Sequence, residues 1–97
     1  MIRFSVMYPS GEGSTFDKDY YVSKHVPLAV KTWGLDPASA QIDLGVNGPY
    51  VAAVHFTFSS PEALQTALGA PGTADVMADV ANYTSIAPVI QTSEIVG

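Results

Sequence analysis

Two histidines, five tyrosines and one arginine carry most of the chemistry in this 97-residue sequence, and no cysteine adds to it. His25 comes first. An imidazole titrates near neutrality and serves as acid or base without a metal. His25 stands two residues before Pro27, where a helix loses a donor and nearby carbonyls lose their partners. Tyr21 lies four residues earlier, so on a helix the phenol and the imidazole share a face. Such a pair can bind a carbonyl oxygen or an enolate and share its proton. The alternative is structural: His25 satisfies a free carbonyl at the interruption and shapes the helix. His55 stands in an alternating segment between Ala53 and Thr57, with space beside it. It is either a packed or interface residue or a binding group that Asp43 and Gln41 orient. Tyr20, Trp33 and Tyr83 are candidates to line an aromatic pocket, with core packing as the competing role for Trp33. Arg3, the sole arginine, either pairs across a subunit interface or binds a carboxylate.

Other chemistries lack their residues. Asp17 and Asp19 suit the first turn of a helix, whose dipole and free amides explain them, and Lys24 suits a solvated surface. Gly11-Glu12-Gly13 has neither the following lysine nor the strand-to-helix context of a phosphate loop. The two histidines, without a His-x-x-x-His spacing or a carboxylate at ligand distance in sequence, call for no metal. No Ser-His-Asp arrangement is legible, and no cofactor is expected. Four basic against nine acidic residues give a net charge of −5, which argues against nucleic acid and anionic lipid as partners. Apolar residues are 47 %, which excludes a disordered chain, and the apolar runs are too short to span a membrane. Met1-Ile2-Arg3-Phe4 enters a strand pattern directly, unlike a signal peptide, so the expected location is the cytoplasm.

The elements that must position these residues number six. Ile2 to Tyr8 alternates strictly, with Ile2, Phe4, Val6 and Tyr8 on one face and Arg3, Ser5 and Met7 on the other. Phe16 to Trp33 is helical, capped by Thr15 or Asp17, broken or kinked around His25-Val26 by Pro27, and stopped by Gly34. Gln41 to Val46 and Tyr50 to Phe58 are strands on either side of an Asn47-Gly48 turn. Ser60 caps a helix that runs through Leu64 and Leu68 to Gly69; Thr73 caps a second short piece. Ile86 to Val96 is the last strand, strained at Pro88.

The order β-α-β-β-α-β over residues 1–97 predicts one α+β domain with a ferredoxin-like four-stranded antiparallel sheet and both helices on one face. The other face would then carry Arg3, Ser5, Met7, Gln41, Asp43, Ala53, His55 and Thr57. Charged residues are only 13 % of the chain, about half the usual ~25 %. A mixed face so poor in charge suits burial against a second copy, sheet to sheet, as a homodimeric α+β barrel.

Phe16-Asp17-Lys18-Asp19-Tyr20-Tyr21-Val22-Ser23-Lys24-His25-Val26-Pro27-Leu28 resembles the F-D-x-x-Y-Y-x-x-K-H-x-P-L stretch of EthD-like proteins. Tyr8-Pro9 at the end of the first strand and Asp79-Val80-Ala81-Asn82-Tyr83-Thr84 resemble them too, with Ala81 where a proline is expected. The resemblance covers essentially the whole chain and implies the dimeric ferredoxin-like barrel. It also implies kinship with cofactor-free monooxygenases, polyketide cyclases, dehydratases and muconolactone isomerases, one of which has a pocket histidine at the position matching His25.

Three functions follow as expectations. The first is a cofactor-independent enzyme acting on a small apolar oxygenated or aromatic compound. In it His25 and Tyr21 are catalytic, and Tyr20, His55, Trp33 and Arg3 contact substrate. The second is a non-catalytic dimeric ligand-binding or accessory protein of a degradation or biosynthesis pathway. The third is a haem-binding relative.

Overall fold

The alternation at the N-terminus becomes strand β1 (Ile2–Pro9), which pairs antiparallel with β3 (Tyr50–Phe58) on one side and β4 (Val89–Glu94) on the other. Strand β2 (Ala40–Leu44) pairs with the far side of β3, giving the sheet order β2-β3-β1-β4, all antiparallel. The structure, a computed structural model, describes residues 1–97. The expected ferredoxin-like α+β fold is what the chain adopts. No helix is long and apolar enough to cross a membrane.

Register decides which side chains meet. Phe4 faces Phe56 and Val6 faces Val54, and these four lie on the helix side of the sheet with Tyr8 and Phe58. Val26, Ala29, Leu64, Ala67 and Val76 pack down on them from the helices, closing one core. On the opposite face the rows are Gln41–His55–Ser5–Gln91 and Asp43–Ala53–Met7–Val89, with Arg3 between Thr57 and Ser93. Because side chains alternate along a strand, His55 and the core phenylalanines cannot share a side.

The helical half departs from expectation at Pro27. The segment does not break; it runs α1 (Lys18–Tyr20), a π turn (Tyr21–His25) and α2 (Val26–Trp33) without interruption. Pro27 brings no N–H and crowds the carbonyl four residues back, and the widened turn absorbs both problems. The N–H of Val26 reaches five residues back to the Tyr21 carbonyl. Asp17, not Thr15, caps the start through the Tyr20 N–H, and Gly34, at φ 65°, ends the helix in the left-handed region.

After β3, Ser60 caps α3 (Pro61–Leu68), and α4 (Thr73–Asp79) passes into a 3₁₀ turn at Val80–Asn82. Thr73 is not the cap expected of it. Gly72 holds that position, while the Thr73 hydroxyl donates to the Ala67 carbonyl at 2.6 Å. The last strand is shorter than expected because Pro88 has no donor for the ladder and pairing begins after it. Likewise β2 ends at Leu44, short of Val46.

Candidate active site

The π turn delivers His25 into the core side of the sheet, where it is 6 % exposed. Its Nδ1 lies 2.9 Å from Oδ2 of Asp79, the last residue of α4. The other carboxylate oxygen, Oδ1, accepts from the Tyr20 hydroxyl at 2.7 Å and from Nδ2 of Asn82 at 2.9 Å. Burial pushes the Asp79 carboxyl up, but the hydrogen bonds from Asn82, Tyr20 and His25 outweigh it and hold the group below its ordinary range. An ionised carboxylate only accepts, so Nδ1 of His25 carries the proton. Burial lowers the His25 pKa against the opposing pull of Asp79, so the ring is neutral near pH 7. Nε2 is thereby left as an acceptor, and it has no protein partner.

Around this pair stands a cluster of phenols. The Tyr83 ring is 4.5 Å from the His25 ring, and Tyr21 stacks on His25 at 5.9 Å. Tyr8 and Tyr83 join hydroxyl to hydroxyl at 2.5 Å. Tyr21 is fully buried among Tyr8, Phe16 and Tyr83, and its hydroxyl is the one buried side-chain polar atom without a partner. Burial raises the pKa of Tyr8, Tyr21 and Tyr83 alike, so all three keep their protons. Tyr20 is raised too, first by its hydrogen bond to Asp79.

His25 and Tyr8 open onto a cavity of about 40 Å³ whose walls are otherwise apolar, among them Phe4, Val54, Phe56 and Val76. Trp33 forms another wall, edge-on to Phe4 and Phe56, with its Nε1–H committed to the Thr73 hydroxyl at 2.9 Å. Met77 and Ile90, each about half exposed, form the outer rim. At this size the space has no room for a porphyrin, and a small organic molecule enters it only as the half-exposed rim of Met77 and Ile90 moves. No three His, Cys, Asp or Glu side chains gather as metal ligands.

The six residues singled out from sequence therefore divide. His25, Tyr21, Tyr20 and Trp33 meet on the helix side of the sheet. His55 and Arg3 lie on the other side, with Gln41 and Asp43, around a shallow polar hollow. The two histidines do not converge at the sheet edge. Unexpectedly, a Ser-His-Asp set does assemble on that outer face: Ser5 Oγ is 2.7 Å from His55 Nδ1, and Asp43 Oδ2 is 3.3 Å from Nε2. Ser5 is only 4 % exposed, and the strand amides beside it are committed to the ladder, so nothing there serves as an oxyanion hole.

Sequence reasoning gave no role to Asp79 or Asn82 and did not count Tyr8 as a site residue. Asp79 and Asn82 are three apart on one helical turn, the spacing that brings two side chains together. Tyr8 is the one polar-tipped member of the apolar face Ile2, Phe4, Val6, Tyr8.

The model of the EthD domain matches residues 11–87. Among solved structures, an EthD-like protein from Ralstonia eutropha JMP134 is 37 % identical, with 99 % of this chain and 92 % of that one covered and a TM-score of 0.89. An ethyl tert-butyl ether degradation (EthD) family protein from Bacillus halodurans C-125 is 19 % identical over 99 % of both chains, with a TM-score of 0.77. A dimeric ferredoxin-like protein of unknown function from Thermobifida fusca YX shares the fold at 17 % identity and a TM-score of 0.65, with 97 % of this chain and 90 % of that one covered. No curated protein matches.

Proposed function

The chain belongs to the EthD family, and from that premise we propose that it is a cofactor-independent enzyme acting on a small apolar oxygenated or aromatic compound, with His25 as acid/base. The observation that carries this reading is the Asp79–His25 pair, 2.9 Å apart, at the edge of a cavity otherwise almost wholly apolar. A carboxylate that fixes one ring nitrogen as the donor leaves the other as a base aimed by the same bond. Isomerisation, cyclisation and dehydration each move a proton between two atoms of the substrate, which one such base accomplishes. Cofactor-free oxygenation starts from the same deprotonated substrate. Tyr20 and Asn82 hold Asp79 in place, Tyr21 backs the imidazole, and Trp33 shapes the cavity.

The test is turnover on a panel of small cyclic enones, lactones and phenols. His25→Ala abolishes turnover while the melting temperature and association state stay close to wild type. Turnover that survives His25→Ala at the wild-type rate overturns the assignment.

The cavity of about 40 Å³ supports a second reading, a binding or accessory protein that holds a ligand without converting it. A panel compound that binds and is recovered unchanged after long incubation favours that reading.

The outer face supports a homodimer packed sheet to sheet. It is mixed in polarity, it leaves Met7, Ala53, His55 and Thr57 only half-buried, and the Thermobifida fusca relative is described as dimeric. His55 and Arg3 then serve the interface rather than the substrate. Sedimentation at twice 10.2 kDa is expected, with Ala53→Glu shifting it to monomer; a monomeric wild type overturns the dimer.

A further inference from the structure

The buried phenols hold more hydrogen-bond donors than the protein accepts. Tyr8 and Tyr83 have two hydroxyl protons and one bond between them, so whichever oxygen accepts keeps a proton with no acceptor. Neither hydroxyl has any other partner, and the two residues are 1 % and 3 % exposed. Burying a donor unpaired costs roughly 1–3 kcal/mol, so a group left this way needs an explanation. Across the same cluster, Nε2 of His25 is an acceptor with no donor. The cavity joins the two: among its lining residues, Tyr8 has a hydroxyl bonded only to Tyr83 and His25 has an Nε2 bonded to no protein group, while the Trp33 N–H is held by Thr73.

We propose that the Tyr8–Tyr83 hydroxyl pair is the oxygen-binding site for a substrate carbonyl, and that the substrate class is a small apolar ketone with a hydrogen on the adjacent carbon. This deepens the reading of His25 as acid/base and rests on it. The pair donates its free proton in a hydrogen bond to the carbonyl oxygen. His25 Nε2 takes the proton from the adjacent carbon. The electrons of that C–H bond form the C=C bond of an enolate, and the charge moves to the oxygen facing the phenols. The imidazolium so formed is paired with Asp79 and returns its proton to a carbon of the enolate, so nothing is oxidised or reduced. Burial raises both phenols, so each keeps its proton and has one to share in a hydrogen bond. Tyr8, on the cavity wall, touches the oxygen; Tyr83 positions and polarises it.

Acetone, the smallest ketone with exchangeable hydrogens, asks the least widening of the cavity, and Met77 on its half-exposed rim has a flexible thioether chain that can give way. Acetone exchange in D₂O is followed by loss of the methyl signal in ¹H NMR. Wild type is expected to accelerate exchange over His25→Ala. Tyr8→Phe lowers kcat for exchange on the order of a hundredfold, as loss of one oxyanion donor does, and leaves the pH dependence set by His25 in place. Tyr83→Phe, which spares the Tyr8 hydroxyl, lowers it about tenfold with KM little changed. If His25→Ala abolishes exchange while both phenylalanine variants match wild type, the oxygen site is overturned and the His25 reading stands. If wild type exchanges acetone no faster than His25→Ala, the ketone substrate and its oxygen site are both overturned, and His25 is then judged on the panel above.

Discussion

His25 and Asp79 are 54 residues apart in the chain and 2.9 Å apart in the structure, each at the end of its own helical turn. The distance matters less than its direction: the carboxylate holds the imidazole by Nδ1 and so decides what Nε2 can do. Two further side chains, Tyr20 and Asn82, occupy the other carboxylate oxygen. The carboxylate cannot swing away without breaking three bonds.

Asp79→Asn keeps the shape and removes the acceptor. An amide can donate to Nδ1 and draw the proton to Nε2, the wrong tautomer for a base. Catalysed proton transfer is expected to fall on the order of a hundredfold or more, with the fold intact. Imidazole ¹⁵N shifts check the cause directly. In wild type Nε2 gives the signal of an unprotonated nitrogen; in Asp79→Asn it does not. An Nε2–H in wild type contradicts the arrangement.

Stability should fall on acidification in two stages. Folded His25 has a pKa below its ordinary 6.5, so the unfolded chain takes up a proton first. Wherever the unfolded state binds more protons, stability decreases as pH drops, and this stage begins near 6.5. Asp79 is held below its ordinary 3.8, so its contribution is full above that pH and is lost as pH falls through the lower folded value. Melting temperatures of wild type and His25→Gln, compared between about pH 8 and pH 5, test the first stage. The decline is expected in wild type and should be shallower in His25→Gln. Equal slopes count against a buried neutral imidazole.

The unpartnered hydroxyl of Tyr21 gives a prediction of opposite sign to the usual truncation. Tyr21→Phe removes a polar atom that meets nothing and leaves the ring packed against Tyr8, Phe16 and Tyr83. Stability should rise by about 1 kcal/mol, the lower end of the cost of a buried unpaired group. For a domain of this size that is a rise of roughly 4–8 °C in Tm. Denaturant unfolding checks it. A loss of more than about 1 kcal/mol would mean that the hydroxyl is bonded in solution.

Strand alternation made much of this legible in sequence. Ile2, Phe4, Val6 and Tyr8 declared the core face, and the same period placed Arg3 and His55 away from it. Local signals also placed the ends: Ser60 before Pro61, and Gly34 after Trp33. What the chain hid was contact between distant segments. Nothing near Asp79 says that its carboxylate turns to His25 rather than to solvent. The Ser5–His55–Asp43 set was invisible for the same reason: its members come from three strands whose register only the folded sheet fixes. Pro27 was legible as a disruption, but whether a helix breaks or widens there depends on how it packs.

That widened turn supplies the last prediction. Pro27 lies in the first turn of α2, and the Val26 N–H spans five residues to the Tyr21 carbonyl instead of four. Pro27→Ala restores an N–H at 27 and removes the ring's clash with the carbonyl of Ser23, so an ordinary α turn through Tyr21–His25 becomes available. Regular helix over these residues would rotate His25 about the helix axis relative to α4, away from the carboxylate that holds it. Helix stability should be maintained or increased, since proline is about 3 kcal/mol worse than alanine in a helix interior. The Nδ1 bond to Asp79, and with it proton transfer, should be lost. A Pro27→Ala variant that melts no lower than wild type, yet shows an imidazole ¹⁵N spectrum without the fixed tautomer, is the expected result. If that variant keeps both the tautomer and the wild-type rate, the position of His25 is set by tertiary packing and not by the π turn.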